Sequence, residues 1–432
     1  MIKQICLIFI AFLALNIHAQ EGTTSPYSFY GLGSLKFKGT TENVSMGGLS
    51  IFTDSIHVNL RNPASYAGNS LKSLGNGHIV KFAVGGSSSN TTLKTNTVSN
   101  NTNAVTFDYL ALSIPMGRLG MGFGLMPYTS VGYKLESMSD ENVLNYRYRG
   151  EGGVNKAFLG IGYLLAENLR VGVDANYNFG NSQNTVVNFR YDNEGTPLQY
   201  HSREVNRSDL SGLNFNLGLT YTPMISEKLQ LTSSITFSPK ADLTSTNQRT
   251  FASVVVSSTG QEFVVTEVET DLEALGLDKT VLTLPTKTAL GVGIGEPRKW
   301  FLGAEYTMLK TSEFSNEIFN FENATYEDAS TISVGGFFIP QYNAFKYWKR
   351  AVYRAGIRYE NTGLKIQNEA INEFGMSFGV GLPVGNAFSN VNFGIEVGQR
   401  GTINQNLVKE NFVNFQLSLS LNDRWFVKRK YN

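Results

Sequence analysis

The sequence predicts an all-β protein: a transmembrane antiparallel β-barrel of about fourteen strands whose lumen holds an N-terminal plug. Three observations predict it. Apolar and polar residues alternate over long stretches, short turns alternate with long polar loops, and few charges are combined with many aromatics. Charged residues make up 16% of the 432 residues, aromatics 12%, and there are 43 glycines. Lys and Arg (36) nearly balance Asp and Glu (35), so no basic excess argues for nucleic acid. Mean hydropathy is -0.14. Beyond the N-terminus no apolar run approaches the roughly eighteen residues of a spanning helix. A membrane barrel instead spreads its hydrophobicity over alternate positions.

Residues 1–19 read as a secretory signal peptide. Lys3 supplies a positive start, Ile5 to Leu15 an apolar stretch, and Ile17-His18-Ala19 a small residue before Gln20. Cys6, the single cysteine, lies early in that stretch and away from a lipoprotein cleavage point. Its removal leaves no thiol for a disulfide, a nucleophile or a Cys-type zinc site. Residues 20–75 are rich in Gly, Ser, Asn and Pro, with short apolar patches such as Leu49-Ser50-Ile51-Phe52. They precede a first strand that starts in the periplasm, so they sit below or inside the barrel. A lumenal plug is the reading taken; a disordered periplasmic tail is the alternative.

Residues 76–426 carry the barrel. Leu169, Val171, Val173, Ala175, Tyr177 and Phe179 alternate with Arg170, Gly172, Asp174, Asn176 and Asn178. Alternate side chains of a strand occupy opposite faces, so one face here suits lipid and the other water. The pattern recurs in 213–221, 229–237, 353–360 and 391–398. Candidate strands are 77–89, 102–114, 118–133, 154–165, 169–190, 212–223, 228–245, 285–295, 299–311, 329–340, 350–360, 372–383, 390–400 and 411–422. An even number puts both chain ends on the periplasmic side, and closure is compulsory because an open edge in hydrocarbon leaves unpaired backbone groups. A soluble β-sandwich also alternates, but its strands average about five or six residues. Turns near 115–117, 166–168, 225–227, 296–298 and 383–387 are short. Loops near 90–101, 134–153, 192–211, 246–284, 312–328, 361–371 and 401–410 are long, the asymmetry of an outer-membrane barrel. The last strand ends in Trp425-Phe426, and 427–432 forms a solvated basic periplasmic tail.

Met46-Gly47-Gly48, Asp54 and Asn62-Pro63-Ala64, all ahead of the first strand, resemble the N-terminal hatch of the FadL/TodX (OmpP1-like) family. Ser25-Pro26-Tyr27, Gly31-Leu32-Gly33 and the ending Leu421 to Phe426 with Lys428 to Tyr431 resemble a Bacteroidota branch of it. The resemblance implies a fourteen-stranded outer-membrane transporter. In that family a hydrophobic ligand enters from outside, is held in the lumen, and leaves sideways through a gap at a kinked third strand. The third strand here, 118–133, contains Gly120, Gly122, Gly124 and Pro127. Proline cannot donate to the ladder and glycine tolerates bulges, so an inward kink is expected there. The alternative is that these glycines make room for the plug.

Arg170, Asp174, Glu305, Arg354, Arg358 and Glu396 are expected to face inward, where mixed charges more often form a structural network than a fatty pocket. Arg354 and Arg358 could also bind an anionic head group. Leu110, Leu112 and Ile114 are assigned to the lumenal face of the second strand, with Phe107, Tyr109 and Ala111 outward; they would contact the plug or a ligand. Gly291 to Gly295 mimics a nucleotide loop but lies in an alternating strand with no helix after it. No histidine pair has metal spacing and no strand carries a convincing catalytic set, so no enzyme and no cofactor is expected.

The function expected is passive uptake of hydrophobic or amphipathic small molecules across a Gram-negative outer membrane. The rival is a non-transporting accessory or docking barrel of a secretion or outer-membrane assembly complex, as in PorV-like relatives. Its partners would be other outer-membrane or secretion proteins. The strand-like runs Val254-Val255-Val256 and Phe263-Val264-Val265 bear on that rival. An aqueous porin is disfavoured by a retained plug.

Overall fold

A computed structural model describes residues 22–54, 56–67, 78–139, 143–314, 323–385 and 389–425. The expected signal peptide, residues 68–75 of the expected plug and the basic tail lie outside the described residues. The wall is an antiparallel sheet: β2 (His78–Lys94), β3 (Ser99–Met116), β4 (Leu119–Pro127), β5 (Thr129–Met138), β6 (Leu144–Ala166), β7 (Leu169–Asn188), β8 (His201–Tyr221), β9 (Gln230–Ser238), β10 (Ala241–Val256), β11 (Glu262–Glu269), β12 (Lys279–Leu284), β13 (Lys287–Glu296), β14 (Trp300–Leu309), β15 (Ala324–Tyr326), β16 (Ala329–Phe338), β17 (Val352–Ile366), β18 (Glu369–Val384), β19 (Ser389–Arg400) and β20 (Lys409–Trp425). The ladder from His78↔Trp425 to Lys94↔Lys409 joins first strand to last and closes the sheet. The barrel has fourteen wall strands, because four of them are interrupted: β4 with β5, β9 with β10, β11 to β13, and β15 with β16. The remaining strand, β1 (Ser34–Leu35), belongs to the N-terminal segment.

Alternation in sequence becomes alternation in exposure. Val173, Tyr177, Leu213, Phe215, Leu217, Leu219, Ile357 and Phe393 point outward and are exposed, while Asp174, Asn176, Asn178, Thr220, Arg358 and Glu396 between them are buried. An apolar exterior around a polar interior is the reverse of a soluble core and matches a bilayer as solvent. No described helix is long and apolar enough to cross a membrane.

Two expectations need correction. The segments 134–153, 192–211 and 246–284, read as loops, are largely strand: β6 starts at Leu144, β8 at His201, and β10 runs to Val256 before pairing with β11. Polar residues on both faces there mimic a loop. The turn between β16 and β17, Ile339 to Ala351, is longer than the others on its side. Finally, Leu110, Leu112 and Ile114 do not face the lumen. Tyr109, Ala111 and Ser113 are each 1% exposed, whereas Leu110 is 39% exposed beside outward Phe107. The β2–β3 ladder slips between Gly85/Gly86, pairing Gly85 with Tyr109 and Gly86 with Phe107. The extra residue, Asp108, forms a bulge, and one inserted residue inverts the parity of everything after it.

Candidate functional site: the lumen and an opening in its wall

The N-terminal segment packs on the inner wall through the motif residues. Asn62 caps the short 3-10 turn Pro63–Tyr66, accepting from the Ala64 amide at 3.0 Å and donating to Thr220 Oγ1 on β8 at 2.9 Å. The turn rests on wall glycines. A Cβ at Gly172 would stand 2.3 Å from the Pro63 backbone, one at Gly162 2.6 Å from the Ala67 amide nitrogen, and one at Gly120 1.8 Å from the Tyr66 carbonyl. Gly122 meets the Tyr66 ring. Gly120 and Gly122 therefore make room for this segment.

Met46 and Gly47 lie in the same way over Gly335 and Gly356. Gly47, at φ +73°, donates its amide to Ser377 Oγ at 3.0 Å, and a Cβ there would fall 2.6 Å from the Ile357 carbonyl. Gly48 follows at φ +85°, a backbone shape glycine adopts without strain. Of the nucleotide-loop mimic, Gly291 accommodates Ile51, and Gly293 and Gly295 accommodate Phe301. Asp54 Oδ2 bonds His57 Nδ1 at 2.6 Å, and Oδ1 accepts the amides of Ile56 and His57.

Charged residues tie segment to wall. Arg358 donates to Glu360 (2.6 Å), Glu373 (2.6 Å) and Glu396 (2.7 Å). Glu373 also pairs with Arg400 and with Lys38 of the segment. Glu305 accepts from the Ser50 amide and hydroxyl and from Arg61. Glu42 is held by Asn392, Ser418 and Ser420. Arg358 is thus saturated by carboxylates. Arg354 bonds only the neutral Asn392 Oδ1, at 3.2 Å.

The wall is interrupted at its third strand. β4 pairs with β3 only from Leu110↔Leu125 to Met116↔Leu119. Above that, Ser99 to Phe107 pair with β2 alone, and β5 pairs with β6 and with β1. The ladder is therefore absent between the outer half of β3 and β5. The break falls at Pro127-Tyr128, beyond Gly124, where Tyr128 bonds the Val154 carbonyl and accepts from Lys36. The N-terminal segment bridges the opening: Ser34 and Leu35 pair with Ser130 and Thr129, and Thr24 Oγ1 lies 2.7 Å from Thr102 Oγ1 on β3.

Beside it lies a cavity of about 230 Å³ lined by Tyr27, Leu35, Phe37, Tyr128, Phe314 and Tyr326 over a charged floor that includes Lys38, Arg358 and Arg400. Inward-facing Leu210, Leu243, Leu282 and Leu284 pack beside it with Leu32. These are the inward apolar groups that alternation on β3 was expected to supply.

The BamG family model matches residues 1–432. The chain belongs to the BamG family. No curated protein matches it. Among solved structures, this BamG-family chain is similar to the toluene transporter TbuX of Ralstonia pickettii, at 15% identity over 89% of this chain and 98% of that one, TM-score 0.55. It is also similar to the toluene transporter TodX of Pseudomonas putida, at 14% identity over 91% and 99%, TM-score 0.56. A FadL homologue of Pseudomonas aeruginosa gives 13% identity over 88% and 97%, TM-score 0.55. At such identities the likeness is one of fold: the BamG-family chain shares the barrel of these outer-membrane proteins.

Proposed function

We propose that the chain is an outer-membrane channel for passive uptake of hydrophobic or amphipathic small molecules, with residues 20–75 as its plug and the signal peptide removed on export. The carrying observation is the interrupted ladder between β3 and β5 next to an aromatic-lined cavity. A ligand held against Tyr27, Phe37 and Tyr128 has a lateral way out that does not require unfolding the wall. The charged floor favours a ligand with a polar end. The toluene transporters of the same fold support the reading. No energy input is implied, because the route only lowers the cost of moving apolar surface past the polar outer face.

A second reading is favoured by the family name, which points to outer-membrane assembly. Under it the barrel is an accessory subunit. It draws on β11, which projects with Phe263, Val264, Val265 and Val268 all exposed.

One double variant separates the two. Thr24→Cys/Thr102→Cys places two thiols where hydroxyls already touch, and a disulfide there straps the segment across the opening. Uptake of a labelled fatty acid and of toluene by expressing cells should fall at least about fivefold when oxidised and recover on reduction, a rise of about 1 kcal/mol in the barrier. Unchanged uptake, with stoichiometric copurification of other outer-membrane proteins, would exchange the first reading for the second.

A further inference from the structure

The periplasmic end of the lumen holds cavities that uptake through the β3–β5 opening does not use. Two of them, about 500 Å³ and about 340 Å³, adjoin along Phe52, Thr53, Asp54, Arg298 and Phe337. The larger reaches Arg350 and Arg354, the smaller Lys81 and Arg170. Five cations thus surround one space.

Its carboxylates are already engaged. Asp54 is held by His57 and two amides, Glu42 by three neutral donors on β19 and β20 with His57 Nε2 at 3.7 Å, and Glu296, which lines the smaller cavity, by Lys299 at 2.9 Å. Among the described ion pairs, none involves Arg170, Arg298, Arg350 or Arg354. Buried polar atoms point the same way. Arg170 Nε has no hydrogen-bond partner, and Arg354 is only 6% exposed yet bonds one neutral acceptor. A buried guanidinium such as that of Arg354 is costly unless a charge answers it.

The rim has a matching composition. Arg298 lies over the Tyr342 ring at 5.4 Å and Arg350 over Tyr347 at 5.5 Å. The Ile339 to Ala351 turn also exposes Phe345 and Trp348, with Lys346 between them and Lys349 next in the chain. Aromatic and basic side chains together characterise the bilayer interface. Inside, Phe52 and Phe337 meet at 4.7 Å beside Ile339, offering an apolar face.

We propose that this periplasmic cavity binds the phosphate group of an anionic amphiphile, with Arg298, Arg350 and Arg354 on the phosphate and the Phe52–Phe337 face on its acyl portion. Arginine is suited to this because its planar fork meets phosphate oxygens two at a time. The inner leaflet beside the rim supplies phospholipid; free phosphate is the other source of the same chemistry.

The test uses the full chain in nanodiscs or micelles, titrated with fluorescent phosphatidylglycerol and, separately, phosphatidylcholine. Arg298→Ala/Arg350→Ala alters only exposed rim residues and leaves the barrel intact, checked by heat-dependent gel mobility. Arg354→Gln probes the interior. The expected results are phosphatidylglycerol binding at least about tenfold tighter than phosphatidylcholine, and a loss of at least about tenfold in each variant. Inorganic phosphate as competitor distinguishes the sources. Displacement at sub-millimolar concentration supports a phosphate site filled by the free ion, and none at ten times that supports the lipid. Equal binding of the two lipids, or folded variants that bind phosphatidylglycerol like the parent, would overturn the proposal.

Discussion

Replacing Arg358 by Met tests whether the lumenal charges hold the molecule together. Arg358 is 5% exposed and donates to three carboxylates at 2.6, 2.6 and 2.7 Å. Its removal does not affect them equally. Glu373 keeps Arg400 and Lys38, and Glu360 keeps Lys38 at 3.7 Å. Glu396 keeps only the neutral Asn414 amide at 3.0 Å. The cost therefore concentrates on one carboxylate left buried without a hydrogen-bonded cation, Lys38 acting on it only at longer range, up to about 3–5 kcal/mol. If that account holds, Arg358→Met/Glu396→Gln removes the stranded charge and recovers about 2 kcal/mol of the loss, because unlike neighbours in one network do not add. Urea unfolding in lipid vesicles, followed by the fluorescence of Trp300, Trp348 and Trp425, reads both numbers. A single variant within about 1 kcal/mol of the parent, or a double variant no more stable than the single, would refute the reasoning.

Two further substitutions address the wall. Leu112→Arg places a charge on the lipid face established by the Asp108 bulge and should cost about 2–4 kcal/mol in vesicles if near the bilayer midplane; an unchanged midpoint would mean that Leu112 faces water after all. Gly162→Val drives a side chain into the Ala67 and Pro63 backbone, already 2.6 and 2.9 Å from a single Cβ. Overpacking of this kind costs about 1–3 kcal/mol and should expose the N-terminal segment to added protease while the barrel stays resistant; equal protection in variant and parent would place that segment elsewhere.

The wall was legible in the sequence because a bilayer imposes one rule on every residue of a strand. In β7 the parity set by Val173 and Tyr177 outward and Asp174 and Asn176 inward holds from Val173 to Asn178, so there a reader needs only the period. On β3 the same rule fails after Asp108. The bulge is a local insertion with no fixed residue signature, and the apolar run from Tyr109 to Ile114 reads equally well in either parity. Sites formed across the lumen were less legible still. Arg358 and Arg354 have the same inward parity on one strand, yet one is saturated by glutamates from β17, β18 and β19 and the other faces a cavity. That difference depends on which strands curve opposite each other, and single-sequence periodicity carries no such information.

The inward glycines carry more than they first disclose. A strand loses side-chain packing wherever glycine stands, so glycine is disfavoured unless something approaches the backbone there. Gly120, Gly122, Gly160, Gly162, Gly172 and Gly218 lie on β4, β6, β7 and β8, and each would clash with a residue between Asn62 and Ala67 or its neighbours if given a Cβ. Gly335, Gly356, Gly379 and Gly394 do the same for Ser45 to Gly47 across the barrel. An open aqueous pore has no use for such positions, since water fits any side chain. Glycines gathered at inward parity on consecutive strands therefore mark where an internal segment lies against the wall. The two patches fall where the two motifs of the N-terminal segment, Met46-Gly47-Gly48 and Asn62-Pro63-Ala64, touch it. The motifs and the glycines are two halves of one interface, and neither half has a packing reason to persist without the other.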